Sequence, residues 1–176
     1  MTRFPFIIQP ACIDDLEVLP RIEREAAALF VGWQVPLEVL QEQTPLQEFA
    51  AAQRDGRLWV ARSQDDSVVG FALVDFVGGE PHLEEIDVLP SHGRQGVGRA
   101  LVQVVQAWAR ASRYVSLTLT TFRDIPWNAP FYGRVGFREV SPQELSPALQ
   151  MVVREEAARG LDPARRVVMS CSVGAA

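Results

Sequence analysis

A glycine-rich loop between a strand-like segment and an amphipathic helix is the feature that most constrains how this chain folds. The strand-like segment runs from His82 to Leu89, the loop Gly93–Gly98 follows shortly after it, and apolar residues then recur with helical periodicity. At such a junction the first N–H groups of the helix have no partner within the helix, so they are able to bind an anion. Glycines have no side chain, which lets a ligand approach the backbone closely. The loop therefore predicts a phosphate-binding site, or else a tight strand-to-helix turn without a ligand.

The order of the glycines argues against two common phosphate-binding loops. A Walker A loop requires Gly-Lys-Ser/Thr, which this chain does not contain. A dinucleotide-binding loop reads G-x-G-x-x-G and is followed by an acidic residue about 20 positions later. Here the order is G-x-x-G-x-G, and Thr118 stands in that later region. Neither nucleotide-binding interpretation fits the sequence.

The remaining segments predict one α/β domain that spans residues 1–176. A hairpin turn at residues 64–67 favours antiparallel pairing, whereas the loop-and-helix connection favours a parallel pair, so we expect a mixed sheet. Strands are predicted at 4–8, 58–61, 68–77, 82–89, 114–121, 137–140 and 165–172. Helices are predicted at 14–30 with a break at Pro20, at 36–53 with a break at Pro45, after Gly98, at 127–135, and between Ser146 and Gly160.

The composition narrows the function. The formal net charge is -5 and no Arg-rich run occurs, which argues against a nucleic-acid partner because phosphate binding needs concentrated positive charge. The two cysteines, Cys12 and Cys171, are too far apart in sequence for a zinc motif, so we expect no metal. No apolar run approaches the ~20 residues that cross a bilayer. We therefore expect a cytoplasmic protein without a membrane partner.

Two motifs in this chain match a known pair. Ile86-Asp87-Val88-Leu89-Pro90 is a strand of the L-x-V-x-P kind, and Gly93–Gly98 follows the loop pattern R/Q-x-x-G-x-G/A except at its first position. Phe131-Tyr132 stands shortly before Gly136-Phe137, which is an aromatic-Tyr pair before Gly-Phe. Together the motifs resemble the GCN5-related N-acetyltransferase (GNAT) superfamily over residues 7–140. The departure at Gly93 matters little, because the family uses this loop through backbone amides.

The resemblance implies a fold and a co-substrate. The fold is a mixed, mostly antiparallel central sheet flanked by helices, with a parallel, splayed strand pair at the cofactor cleft. The co-substrate is acetyl-CoA, whose pantetheine arm would contact the main chain of Val88 and Leu89. The pyrophosphate would be held by Gly93, Arg94, Gln95, Gly96, Val97, Gly98 and Arg99. Asn128 lies four residues before Tyr132, where it either contacts the cofactor or caps a helix.

Acetyl transfer requires a neutral amine as the nucleophile and a proton for the departing thiolate. The resemblance implies that the amine attacks bound acetyl-CoA directly. Tyr132 occupies the family's usual general-acid position. The base stays open: strand alternation places His82 and Glu84 on one face and Glu85 on the other, and water is a further alternative. The acidic residues of this strand would also attract a cationic acceptor.

The sequence therefore predicts an acetyl-CoA-dependent N-acetyltransferase whose acceptor is a primary amine of a small molecule or a peptide. One alternative is a non-catalytic acyl-CoA-binding sensor or partner module on the same fold. Another is a structural α/β domain whose glycine turn binds nothing. A homodimer is also expected, formed through Trp108 and an exposed edge strand near the C-terminus.

Overall fold

A computed structural model describes residues 6–174 of the chain. Within that range there are seven strands: β1 (Phe6–Pro10), β2 (Leu58–Ser63), β3 (Val68–Val77), β4 (Glu80–Val88), β5 (Ser116–Phe122), β6 (Arg138–Glu139) and β7 (Arg166–Ser172). The same range contains six α-helices: α1 (Leu19–Ala27), α2 (Leu37–Gln41), α3 (Leu46–Arg54), α4 (Val97–Ala111), α5 (Ala129–Arg134) and α6 (Pro147–Ala158). Positions 4 and 5 of the predicted first strand lie outside the described residues.

The strands form one mixed sheet in the order β1-β2-β3-β4-β5-β7-β6. Strand β2 pairs antiparallel with both β1 and β3, and β7 pairs antiparallel with both β5 and β6. Strands β4 and β5 are parallel, with His82 opposite Thr118. The mixed sheet with a parallel pair, flanked by helices, confirms the predicted fold class.

Proline and glycine set the helix boundaries where the sequence predicted them. Pro20 lies in the first turn of α1, and Pro45 separates α2 from α3. Ser146 caps α6 through its side chain, which accepts the N–H of Leu149 at 3.3 Å. Gly160 follows α6 with φ +90°, a backbone conformation that glycine adopts without strain. These boundaries depend on local chemistry, so the sequence alone identifies them.

The position of the last strand corrects one expectation. Strand β7 was predicted to form an exposed edge, but it lies between β5 and β6. All seven residues of β5, from Ser116 to Phe122, pair with β7. On its other side β7 pairs with Arg138 and Glu139 of β6. The edges of the described sheet are therefore β1 and the two-residue strand β6.

The chain divides into two compact units, each discontinuous in sequence. The first comprises the chain up to Val74 together with Glu85–Val105, and so includes α1 to α3, the glycine loop and the start of α4. Phe49 of α3 packs edge-to-face on Phe71 of β3, with ring centroids 5.4 Å apart. The interior of this unit is apolar and includes Leu19, Ile22, Leu58, Val60, Val69, Leu101 and Val105.

The second unit comprises Asp75–Glu84 together with the chain from Gln106 onward. In this unit both carboxylate oxygens of Glu156 on α6 accept hydrogen bonds from Arg166 on β7, which forms a largely buried ion pair. The Arg166 guanidinium also lies 4.7 Å from the ring centroid of Phe122. The apolar interior of this unit includes Leu83, Leu117, Leu119, Ile125, Phe137, Val168 and Met169.

Candidate active site

The glycine loop leads directly into helix α4. Residues Pro90–His92 form a 3-10 turn, and α4 begins at Val97. The first hydrogen bond of the helical kind runs from the N–H of Ala100 to the carbonyl of Gly96, at 3.0 Å. The N–H groups of Val97, Gly98 and Arg99 precede that bond, and so they form the unpaired first turn of a 15-residue helix. These groups are able to bind an anion.

Gly96 keeps the approach to this turn open. Its φ is +88°, which strains any residue with a side chain, and nothing lies within 4 Å of the position that a Cβ would occupy. Gly93, Arg94 and Gln95 are exposed, and Arg94 also has a positive φ of 59°. The Gln95 side chain donates to the carbonyl of Ser91 at 3.2 Å. The loop therefore presents backbone rather than bulky side chains in front of α4.

The end of β4 is fixed against β3. The N–H of Leu89 donates to the carbonyl of Val69 at 2.9 Å, and the carbonyl of Leu89 accepts the N–H of His92 at 2.8 Å. Both main-chain groups of Leu89 are thus already hydrogen-bonded. A Cβ on Gly70 would lie only 2.7 Å from the carbonyl oxygen of Asp87. Val88 and Leu89 are held at the point where the chain enters the loop.

A cluster of three carboxylates, the Glu23–Glu85–Asp87 cluster, lies in the first unit beside β4. Glu23 of α1 accepts hydrogen bonds from both the N–H and the Oγ1 of Thr44, at 2.8 and 2.7 Å. The same Oγ1 lies 3.0 Å from Oε2 of Glu85, which in turn is hydrogen-bonded to Asp87. Burial and the neighbouring carboxylates raise the pKa of Glu85 well above its usual range. Burial raises the pKa of Asp87 to about 7.

Sequence reasoning named Glu85 but missed the contribution of Glu23. A signal for Glu23 exists in α1, where Leu19, Ile22 and Ala26 form the buried stripe and Glu23 stands within it. A glutamate at a core position of an amphipathic helix needs a polar partner, because burying a lone carboxylate is costly. Thr44 is separated from Glu23 by more than 20 residues, so the partner itself could not be inferred from spacing.

The two favoured base candidates differ in their surroundings. His82 is 2% exposed, and its Nδ1 lies 2.8 Å from Oγ1 of Thr118 on the parallel neighbour strand. Burial lowers the pKa of His82 to about 4, so the imidazole is neutral at neutral pH. Glu84 is exposed, in contrast to the buried residues that precede it on β4.

Tyr132 and Asn128 lie together at helix α5 in the second unit. Tyr132 is 7% exposed, and its ring packs against Phe131 and Phe137 at centroid distances of 5.1 and 5.7 Å. The carbonyl of Asn128 accepts the N–H of Tyr132 at 3.0 Å. The Asn128 side chain makes no capping hydrogen bond, and its Oδ1 is buried without a hydrogen-bond partner among residues 6–174. A buried oxygen of this kind fits a ligand that donates a hydrogen bond.

The predicted site residues are divided between the two units. The first contains Val88, Leu89 and the loop from Gly93 to Arg99, and the second contains His82, Glu84, Asn128 and Tyr132. The structure shows the loop and the end of β4 as one continuous segment, and it shows Asn128 at the start of the short helix that carries Tyr132.

None of the helices described between residues 6 and 174 has the length and the apolar character of a membrane-spanning helix.

The open helix N-terminus after β4, together with a mixed sheet that has a parallel pair, is the arrangement that the sequence motifs predict. Residues 19–137 match the sequence profile of the Acetyltransferase (GNAT) family. Because this range covers more than half of the sequence, the chain belongs to that family, and the resemblance found in the motifs is confirmed. The chain is an acyltransferase of the N-acetyltransferase type, and acetyl-CoA is its co-substrate.

Several solved structures share the fold at low sequence identity. The PaiA N-acetyltransferase from Thermoplasma acidophilum, in complex with coenzyme A, is 16% identical with a TM-score of 0.69, covering 95% of this chain and 98% of that one. The ribosomal-protein-S18-alanine N-acetyltransferase from Escherichia coli is 18% identical with a TM-score of 0.66, covering 97% and 96%. Rv2747 from Mycobacterium tuberculosis, in complex with CoA and NLQ, is 18% identical with a TM-score of 0.64, covering 94% and 98%.

Proposed function

We propose that this enzyme transfers the acetyl group of acetyl-CoA directly to a primary amine of a small molecule or a peptide. The observation that carries the proposal is the first turn of α4, where three N–H groups precede the first helical hydrogen bond and Gly96 leaves the approach open. Anions bind to such a turn because the amides and the helix dipole act in the same direction. The direct mechanism needs no covalent acetyl-enzyme, so neither cysteine takes part.

The proposed binding residues follow the loop and its two flanks. Amides from Gly93 to Arg99 bind the pyrophosphate, with Arg94 and Arg99 adding positive charge. The main chain of Val88 and Leu89 contacts the pantetheine arm, and the Leu89 carbonyl has a second lone pair beside the one that His92 uses. Asn128 contacts the cofactor through its buried Oδ1, which accepts no other hydrogen bond. Bound acetyl-CoA supplies the activated thioester.

Tyr132 is the proposed general acid. A phenol retains its proton at neutral pH, so it is able to donate to the departing thiolate sulfur. The packing of Phe131 and Phe137 against the ring restricts the rotamers that the tyrosine can adopt. This restriction supports a fixed direction for the hydroxyl group, which general-acid catalysis requires.

The proposed proton acceptor is Glu84, acting directly or through water. Its exposure keeps the carboxylate hydrated and accessible to an ammonium group. His82 is the second candidate, and its low pKa keeps the imidazole unprotonated, although a group with a pKa of about 4 is a weak base. Comparison of Glu84→Gln with His82→Gln tests which of the two residues accepts the proton. Only the substitution of the true proton acceptor should alter the acidic limb of the pH–rate profile.

The experiment that tests the function is coenzyme A release with an amine panel, using Tyr132→Phe as the diagnostic variant. We expect Tyr132→Phe to lower kcat by about 10-fold or more, because the variant loses the donated proton while the ring packing is unchanged. The matched control is Tyr114→Phe, which removes the hydroxyl of the only other tyrosine in the chain. Calorimetry should show that both variants bind coenzyme A as the wild type does.

The same assay separates the enzyme from its alternative. Coenzyme A binding without thiol release for any amine would favour a non-catalytic acyl-CoA sensor, and unchanged turnover in Tyr132→Phe would contradict the acid assignment.

The cytoplasmic location and the homodimer stay predictions from the sequence. Sedimentation at several protein concentrations tests the homodimer.

A further inference from the structure

The Glu23–Glu85–Asp87 cluster holds more negative charge than its own hydrogen bonds neutralise. Oγ1 of Thr44 lies within hydrogen-bond distance of Oε1 of Glu23 and of Oε2 of Glu85. A hydroxyl group has one hydrogen, so it cannot donate to both carboxylates. The contact between Glu85 and Asp87 also needs a proton between two acids. Without another cation, the cluster therefore has to take up protons.

One oxygen of the cluster is left without any donor. Glu23 is 6% exposed, and its Oε2 is buried without a hydrogen-bond partner among residues 6–174. Its other oxygen, Oε1, accepts both hydrogen bonds from Thr44. A buried carboxylate oxygen without a partner is unfavourable, because the water it has lost is not replaced. This oxygen fits a donor supplied by a ligand.

No cation among residues 6–174 forms an ion pair with the cluster. The chain contains no lysine, and none of the described arginines forms an ion pair with Glu23, Glu85 or Asp87. No group of three or more His, Cys, Asp and Glu residues in the described part of the chain has an arrangement that could hold a metal ion. An organic ammonium group is complementary to such a cluster, because it carries a positive charge and several N–H donors. Glu85, Asp87 and Thr44 each retain some exposed surface, and a ligand would approach the cluster from that side.

The cluster suits a cation that keeps its charge. Nearby carboxylates stabilise the protonated form of an ammonium group and raise its pKa. The reacting amine must instead lose its proton before it attacks the thioester. An ammonium group held by three carboxylates is consequently a poor nucleophile and a good anchor.

We propose that the Glu23–Glu85–Asp87 cluster binds a second, non-reacting cationic group of the acceptor, so that the preferred acceptor is an aliphatic diamine or polyamine. This inference rests on the proposed acetyl transfer to an amine. It narrows the acceptor class, because a monoamine has no second cationic group that could bind to the cluster. An acceptor with a carboxylate or phosphate in place of that group would be repelled by the carboxylates.

Steady-state kinetics with matched acceptors tests the inference. We use straight-chain α,ω-diamines of increasing length, each paired with the amino alcohol of the same length, in which a hydroxyl replaces the second ammonium group. We expect kcat/KM for the best diamine to exceed that of its amino alcohol by about 10- to 100-fold, the effect of one hydrogen-bonded charge.

Glu23→Gln is the sharpest variant. It keeps Oε1 as the acceptor for Thr44 and replaces only the unpartnered carboxylate oxygen, so folding should be preserved. We expect it to remove most of the preference for the diamine, with little effect on the amino alcohol. The charge-matched control is Glu38→Gln at an exposed position of α2, which should keep the full preference. Thermal denaturation of both variants confirms that they are folded.

Calorimetry gives a second measurement that does not depend on turnover. The diamine should bind to the enzyme without acetyl-CoA and displace protons from the cluster, which is detected in buffers with different ionisation enthalpies. The effect should be absent in Glu85→Gln. Equal kcat/KM for diamines and amino alcohols, or equal losses for both in Glu23→Gln, would overturn the inference. If no amine is acetylated, the proposed function fails, whereas diamine binding and proton release still test the cluster.

Discussion

Asp87 illustrates at the scale of one residue how burial changes the chemistry of a side chain. Its pKa is raised from 3.8 to about 7, so between these pH values the folded protein binds a proton that the unfolded chain has lost. Stability must therefore fall as the pH rises through this window. The shift has the opposite sign to that of a carboxylate in an ion pair, whose lowered pKa makes stability rise with pH below about pH 4.

This residue gives a testable pH dependence of stability. We expect Asp87→Asn to flatten the loss of unfolding free energy between about pH 4 and pH 7, by on the order of 1 kcal/mol or more. The asparagine keeps the size of the side chain and has no proton to lose. Urea denaturation across the window provides the measurement. Glu38→Gln should retain the wild-type slope, and an unchanged slope in Asp87→Asn would show that the pKa of Asp87 is not raised in the folded protein.

At the scale of the secondary-structure element, the contact between β3 and β4 determines where the glycine loop begins. Gly70 lies near the start of β3, and an isolated glycine in a strand indicates a close backbone approach. The methyl group in Gly70→Ala would lie 2.7 Å from the carbonyl oxygen of Asp87 and 3.2 Å from Val88 Cγ2. These neighbours belong to the strand end that leads into the loop, so the strand must move.

We expect Gly70→Ala to destabilise the protein by about 1–3 kcal/mol and to raise KM for acetyl-CoA. The change in KM follows because Val88 and the loop would shift together. Thermal denaturation and initial-rate kinetics measure the two effects. Gly174→Ala is the control, since its added methyl group would meet its nearest neighbour at an ordinary 3.6 Å. Loss of stability with an unchanged KM would show that the strand end does not position the cofactor.

The elements also show which parts of the structure could be predicted from sequence. Helix boundaries at Pro20, Pro45 and Ser146 were correct because they depend on local backbone chemistry. The place of β7 inside the sheet was missed, because strand order depends on contacts between distant segments. The same limit applies to the site. The loop motif is contiguous and was identified, whereas the cluster joins β4 to Glu23 of α1 and to Thr44 of the connection between α2 and α3.

At the scale of the whole molecule, the two compact units raise the question of whether the chain unfolds in one step. The boundaries between the units fall after Val74, Glu84 and Val105. The first two lie inside strands β3 and β4, and the third lies inside helix α4. In α4, unfolding of one half would break the hydrogen bonds between residues i and i−4 that cross the boundary. The single domain over residues 1–176 stays a prediction, and it implies that both units unfold together.

Tryptophan fluorescence tests this prediction, because each unit contains two tryptophans. Trp33 and Trp59 belong to the first unit, and Trp108 and Trp127 belong to the second. Variants that retain only Trp59 or only Trp108 report on one unit each, with phenylalanine at the other three positions. In each variant we expect the urea midpoint seen by fluorescence to coincide with the midpoint seen by circular dichroism. Separate midpoints for the two probes in either variant would mean that the units unfold independently, and the chain would then consist of two domains.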